Sequence, residues 1–160
     1  MKRILVVDDD PGLREALAAF LRQEGHGVDT AADGAEALAR LDHERYDLIL
    51  SDLRMPGLDG PALYEALRTR YHFPTRFTTT LPRVVFMTGT APEHVDFLKG
   101  TTEPILEKPF NLKVVRQVVS VLLAGQRGGA DGLAEPAREE RHPDGALLNP
   151  SAEPGRDAEP

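Results

Sequence analysis

The chain has 160 residues, a formal net charge of −7, 41% apolar residues and no cysteine. That length suffices for one domain with a buried core. The absence of cysteine excludes disulfides and thiolate-held metals, and the acidic balance argues against a DNA-binding body, which needs basic surface to neutralise phosphates.

In chain order, the N-terminus "MKRILVVDDD" carries only a short apolar stretch before three acids, which reads as neither a signal peptide nor an anchor. No apolar run approaches the roughly 20 residues that cross a bilayer, so no membrane contact and a cytoplasmic location are expected. The β-rich run "RILVV" (3–7) is followed by Asp8, Asp9 and Asp10, then by a helix beginning near Pro11 with Leu13, Leu17, Phe20 and Leu21 on one face. "GVDTA" (27–31) is a second strand, and Ala37, Leu38 and Leu41 share the face of a second helix. "DLILS" (47–51) is a third strand, with Asp52 directly after it and a Met-Pro-Gly turn beyond. Leu63, Ala66, Leu67 and Arg70 mark a third helix face.

The stretch "TRYHFPTRFTTTLPR" (69–83) reads as a long link holding Phe73, Phe77 and the threonines 78–80, either a partner-binding loop or a tolerated insertion. "RVVFM" (83–87) is a fourth strand ending at Thr88 and Gly89. "PEHVDFLK" (92–99) is a short, weakly patterned helix, and "PILE" (104–107) a fifth strand ending at Lys108 and Pro109. Leu112, Val115, Val118, Val119 and Leu122 form the last helix face. Residues 125–160 are rich in Gly, Pro, Ala and acids, with no aromatic and no β-branched residue. Such a segment cannot bury enough apolar surface to offset its ordering entropy. The expected organisation is therefore a domain over 1–124 and a disordered acidic tail over 125–160.

Strands alternating with helices imply a doubly wound α/β domain with a parallel sheet covered on both faces. "ILVV", "LIL" and "VVFM" are continuous apolar runs, as strands buried on both faces require. In such a sheet, ligands bind beyond the carboxyl ends of the strands. Polar residues follow four of the five strands: Asp8, Asp9 and Asp10; Asp52; Thr88 and Gly89; Lys108 and Pro109. Brought together, clustered carboxylates raise one another's pKa or bind a cation, and an oxygen-only set suits a hard ion such as Mg²⁺. With the Lys108 ammonium and the Thr88 hydroxyl alongside, that set suits a phosphoryl group, with Asp52 as nucleophile.

The stretches "ILVVDDDPGLR", "DLILSDLRMPGLDG", "VVFMTGT" and "ILEKPF" resemble, in order, the four signature stretches of receiver domains of two-component response regulators, over about residues 1–124. The resemblance implies a flavodoxin-like (βα)5 fold with strand order 2-1-3-4-5. It implies Asp52 as phospho-acceptor in a phosphorelay, with a histidine kinase or histidine phosphotransfer protein as donor. Asp8 and Asp9 would be the acidic pair holding Mg²⁺, Asp9 the more direct ligand, together with Asp52 and the backbone carbonyl of Arg54. Thr88 would hydrogen-bond the phosphoryl group, Gly89 leave room for it, Lys108 pair with its oxygens, and the Lys108–Pro109 peptide be cis. Many receivers carry an aromatic residue three positions before the lysine, as a switch; here Ile105 stands there.

The style of "FLKGTTEPILEKPF" resembles receivers of hybrid histidine kinases, in a free-standing version. The output would be a protein target docking on the fourth helix, fifth strand and fifth helix. The chain is expected to be a monomer or a phosphorylation-dependent dimer, and no enzyme beyond its own phosphorylation and dephosphorylation. Arg54 and Thr90 would tune access of water to the acyl phosphate. Two other readings compete. One is a phosphorylation-independent interaction domain. The other is an aspartyl-phosphate phosphohydrolase, against which Arg54 stands where a second Asp is usual. Asp10, Asp59 and Gly60 read as capping and turn residues, and the five histidines share no metal spacing.

Overall fold

A computed structural model describes residues 1–72, 80–89 and 94–125. Phe73, Phe77, Thr78, Thr79, Thr90 and the expected tail beyond Gly125 lie outside the described residues. The elements run β1 (Arg3–Val7), α1 (Pro11–Gln23), β2 (Gly27–Ala31), α2 (Gly34–Leu41) and β3 (Leu48–Asp52). They continue through α3 (Gly60–His72), β4 (Arg83–Thr88), α4 (Val95–Gly100), β5 (Ile105–Glu107) and α5 (Leu112–Ala124). The chain divides into two units, Met1–Leu123 and Ala124–Pro160, and only Ala124 and Gly125 of the second are described.

All the strand pairs are parallel, in the order β2-β1-β3-β4-β5, as the resemblance implies. Alternation along each strand separates two cores. Ile4 and Val6 of β1, Leu48 and Leu50 of β3, and Val85 and Met87 of β4 pack with Leu17, Leu21, Val115 and Val119 of α1 and α5. Leu5, Val7, Ile49, Val84 and Phe86 pack on the opposite face with Ala37, Leu41, Leu63 and Leu67 of α2 and α3. The apolar runs are continuous because both faces are covered.

Several boundaries differ from the sequence reading: β3 and β5 each start one residue later, and β4 runs one residue further, to Thr88. Asp52 is the last residue of β3 rather than the residue after it, since it still pairs with Met87 in the ladder. The helical pattern of α3 persists to His72, so the first residues of the expected long link are helix. The described part of the fourth helix starts at Val95, after His94 in the left-handed region at φ 66°. None of the residues of α4 is fully buried, which explains its weak hydrophobic pattern.

Candidate functional site

Asp10 opens α1: its side chain accepts from the amides of Gly12 (2.9 Å) and Leu13 (3.4 Å). It thereby fixes the turn that leaves β1 and orients the two acids before it. The Asp8 amide donates to Ala31 O at 3.1 Å, the Leu53 amide to Met87 O at 2.9 Å and the Lys108 amide to Thr88 O at 2.7 Å. These bonds continue the β1–β2, β3–β4 and β4–β5 pairings, and with β1 paired to β3 they bring Asp8, Asp9, Asp52 and Lys108 to one rim of the sheet.

There the carboxyl groups of Asp8, Asp9 and Asp52 each offer an oxygen within 4.8 Å of the others. Asp8 is fully buried, Asp52 is 7% exposed and Asp9 stands at the surface. Lys108 Nζ lies 3.1 Å from Asp8 Oδ2 and 3.4 Å from Asp52 Oδ2. The other oxygen of Asp8 accepts from the Asp10 amide at 2.9 Å. Asp8 is thus bound on both oxygens, while Asp9 is open to solvent.

Burial is the chief cause that pushes the Asp52 carboxyl above the usual aspartate range; Asp8 and, less, Asp9 add to it, and Lys108 opposes them. Burial pulls the Lys108 ammonium down, but its hydrogen bond to Asp8 and the charges of Asp52 and Asp8 outweigh that and hold it above its ordinary value. The two shifts point to one situation: three carboxyl groups gather around a single ammonium, and Asp52 is short of positive charge.

Asp9, Asp52, Arg54, Met55, Pro56, Gly89 and Lys108 line an open cleft of about 430 Å³. The site's oxygen-only donors fit a hard divalent ion. They suit zinc less well, since neither histidine nor cysteine belongs to the cluster.

Other candidates sit differently. Thr88 follows Val84 and Phe86 on the α2–α3 face of the sheet, whereas Asp52 follows Leu48 and Leu50 on the α1–α5 face. Accordingly the Thr88 hydroxyl donates to Gly89 O at 3.2 Å rather than to the acid cluster. A Cβ at Gly89 would meet only open space, and the Lys108–Pro109 peptide is cis. Ile105 is 37% exposed on β5, paired in register with Phe86. Sequence reasoning missed Arg14, whose Nη1 donates to the Asp8 carbonyl at 2.8 Å. Its place four residues after the Asp10 cap, on the helix turn nearest the acids, was the available signal.

This fold and rim define an α/β receiver-type domain with an acid cluster at the sheet's carboxyl edge. The chain belongs to the response regulator receiver domain family, which matches residues 4–120. It is 36% identical over 138 residues to response regulator Rre1 of Synechocystis, covering 84% of this chain and 57% of that protein. It is 39% identical over 111 residues to transcriptional regulatory protein TcrA of Mycobacterium tuberculosis, covering 69% and 41%. The chain thus spans about half the length of these relatives. Among solved structures it resembles response regulator TrrA of Thermotoga maritima in complex with Mg²⁺-BeF, at TM-score 0.64 and 32% identity, covering 76% and 99%. It also resembles the receiver domain of a signal transduction histidine kinase from Syntrophus aciditrophicus, at TM-score 0.68 and 29% identity, covering 79% and 93%. The family is that of receiver domains in two-component systems. Among the described residues no helix is long and apolar enough to cross a membrane.

Proposed function

We propose that Asp52 accepts a phosphoryl group from a phosphohistidine on a histidine kinase or phosphotransfer protein, and that residues 1–124 form this receiver. One observation carries the reading: a single ammonium, Lys108 Nζ, lies within 3.4 Å of two buried carboxylates at the ends of different strands. Asp8, Asp9, Asp52 and the Arg54 carbonyl would hold Mg²⁺, which supplies positive charge against the transferring phosphoryl oxygens. A relative of the same fold was solved with Mg²⁺-BeF, which supports that assignment.

The work of the chain's own residues follows from their surroundings. An Asp52 carboxylate oxygen forms the bond to phosphorus as the donor's P–N bond breaks, and the departing imidazole keeps the electron pair. Lys108 then transfers its ion pair from the Asp52 carboxylate to the new phosphoryl oxygens. Thr88 exchanges the Gly89 carbonyl for a phosphoryl oxygen, and Gly89 leaves the approach open. Ile105 is the switch position on β5, and Pro109 sets the course of the chain after Lys108. Val95, Ile105 and Val121 are exposed apolar residues on α4, β5 and α5, which suits docking of a protein target there. The acidic composition supports a role without nucleic-acid contact by this chain; in the same proposal that role lies in the cytoplasm and residues 125–160 form an acidic tail.

The test is labelling by a small acyl-phosphate donor. The wild-type chain should label in Mg²⁺ and fail to label with excess chelator, and Asp52→Asn should not label. Sustained labelling of Asp52→Asn would reject the assignment. Turnover of phosphate esters would revive the hydrolase reading, which Arg54 two residues after Asp52 disfavours.

A further inference from the structure

We propose that Gly34, at the start of α2, is a positioning residue for the loop 53–59 and that it sets the cleft's preference for Mg²⁺ over Ca²⁺. The inference rests on the acceptor reading above, and concerns a residue that takes no part in the acid cluster itself. Gly34 is buried and its amide donates to Leu58 O at 3.2 Å. A Cβ at this position would stand 2.5 Å from Leu58 O and 3.0 Å from both Cβ and Cδ2 of Leu58. Part of that obstruction is backbone, so rotating a side chain cannot relieve it. The loop or α2 has to move by several tenths of an ångström.

The loop cannot absorb this at its other end. There the Gly60 amide donates to Leu53 O at 2.9 Å, and a Cβ on Gly60 would lie 2.6 Å from Asp52 O and 2.8 Å from Leu53 Cα. Leu53 and Met55 are buried at 1% and 6% exposure and anchor the inner side of the loop. Between these contacts run Arg54, Met55 and Pro56, which line the cleft beside Asp52. Two glycines on two different helices therefore hold the loop from both ends. Whatever part of the displacement at Leu58 is not taken up by α2 passes through Gly57 into the Arg54–Pro56 segment.

Such a displacement matters differently to two ions. Mg²⁺ demands near-ideal octahedral geometry at about 2.0–2.1 Å, whereas Ca²⁺ accepts irregular geometry at about 2.3–2.6 Å. Moving a loop carbonyl by several tenths of an ångström therefore penalises Mg²⁺ and spares Ca²⁺. General destabilisation of the fold would lower both affinities together.

The experiment is calorimetric titration of the full chain with Mg²⁺ and, separately, Ca²⁺, alongside thermal melts without metal. Gly34→Ala should weaken Mg²⁺ binding about tenfold, the scale at which supporting-residue changes act on metal affinity, and change Ca²⁺ binding less than about twofold. Gly100→Ala, whose Cβ meets open space, should leave both unchanged. An unaltered Mg²⁺/Ca²⁺ ratio in Gly34→Ala, whatever its melting temperature, would overturn the inference. If that variant does not fold, the double variant Gly34→Ala/Leu58→Gly relieves the two contacts to the Leu58 side chain and keeps the one to Leu58 O. It should lower the ratio in the same direction, and an unchanged ratio there would equally overturn the claim. A wild-type chain that binds neither ion would instead bring down the acceptor reading on which this one stands.

Discussion

Lys108 Nζ, within 3.4 Å of both Asp8 and Asp52, makes two buried carboxylates tolerable and leaves the rim still short of positive charge. The roles of the neighbouring acids separate at this scale. Asp10 read as a cap in the sequence because a helix pattern begins beside it, and its two bonds to the amides of Gly12 and Leu13 are those of a cap. Asp10→Ala should therefore cost about 1 kcal/mol of stability, within the range for such caps, measured by urea unfolding, while labelling of Asp52 persists. Loss of labelling in a folded Asp10→Ala would make it part of the site. Arg14, by contrast, was legible only through its place four residues after the Asp10 cap: nothing in the sequence shows that its half-buried guanidinium reaches a backbone carbonyl six residues away.

A second acid, Asp29, lies away from the rim. It accepts from Tyr46 Oη at 2.7 Å and forms an ion pair with Arg3. Burial would raise its pKa, but the bonds from Tyr46 and Arg3, with the charge of Arg3, outweigh it and hold the carboxyl below its usual range. A depressed folded value means that the unfolded chain binds the proton first. The contribution is thus present above the ordinary aspartate value and lost as pH falls through the folded one. Asp29→Asn should cost about 1 kcal/mol near neutrality, a charged hydrogen bond discounted for partial exposure. The gap to the wild type should close at acid pH, as read by urea unfolding across pH. A gap that stays constant or widens toward acid would refute this.

At the scale of elements, α4 is the weakly held one. It has no fully buried residue and packs on the body through Phe97 and Leu98. The Phe97 ring packs edge-on against Phe86 of β4 at 5.0 Å and Tyr64 of α3 at 6.0 Å. Tyr64 Oη also donates to Glu103 Oε1 at 3.0 Å, tying α3 to the segment between α4 and β5. Tyr64→Phe keeps the ring contacts and removes one hydrogen bond, so it should cost about 1 kcal/mol. Tyr64→Ala should cost clearly more, through the lost aromatic pairs and buried area. Equal costs in chemical denaturation would show that the ring contributes nothing. None of this coupling was legible, because aromatics at 64, 86 and 97 are far apart in sequence and share no periodicity. The strands were legible because sheets buried on both faces demand unbroken apolar runs. Their ends were less so: Asp52 remains in the ladder although its chemistry suggested a loop.

At the scale of the molecule, the order β2-β1-β3-β4-β5 brings residues 8, 9, 52 and 108 to one rim. Periodicity alone could not give that order; it followed from the four signature stretches taken together. Strand alternation, however, puts Thr88 and Asp52 on opposite faces of neighbouring strands, and a list of residues at strand ends conceals this. Engaging a phosphoryl group thus requires Thr88 to leave the Gly89 carbonyl, a local rearrangement beside the loosely held α4. On the proposed function, that is the element from which a phosphorylation signal would spread.

The measurement that bears most directly on this account is chemical mapping of the phosphorylated position. The chain, labelled by an acyl phosphate in Mg²⁺, is reduced with borohydride, which converts an aspartyl phosphate to homoserine, and its peptides are read by mass spectrometry. The account predicts homoserine at residue 52 and unmodified aspartates at 8, 9 and 10. Homoserine at any of those three, with Asp52 intact, would contradict it.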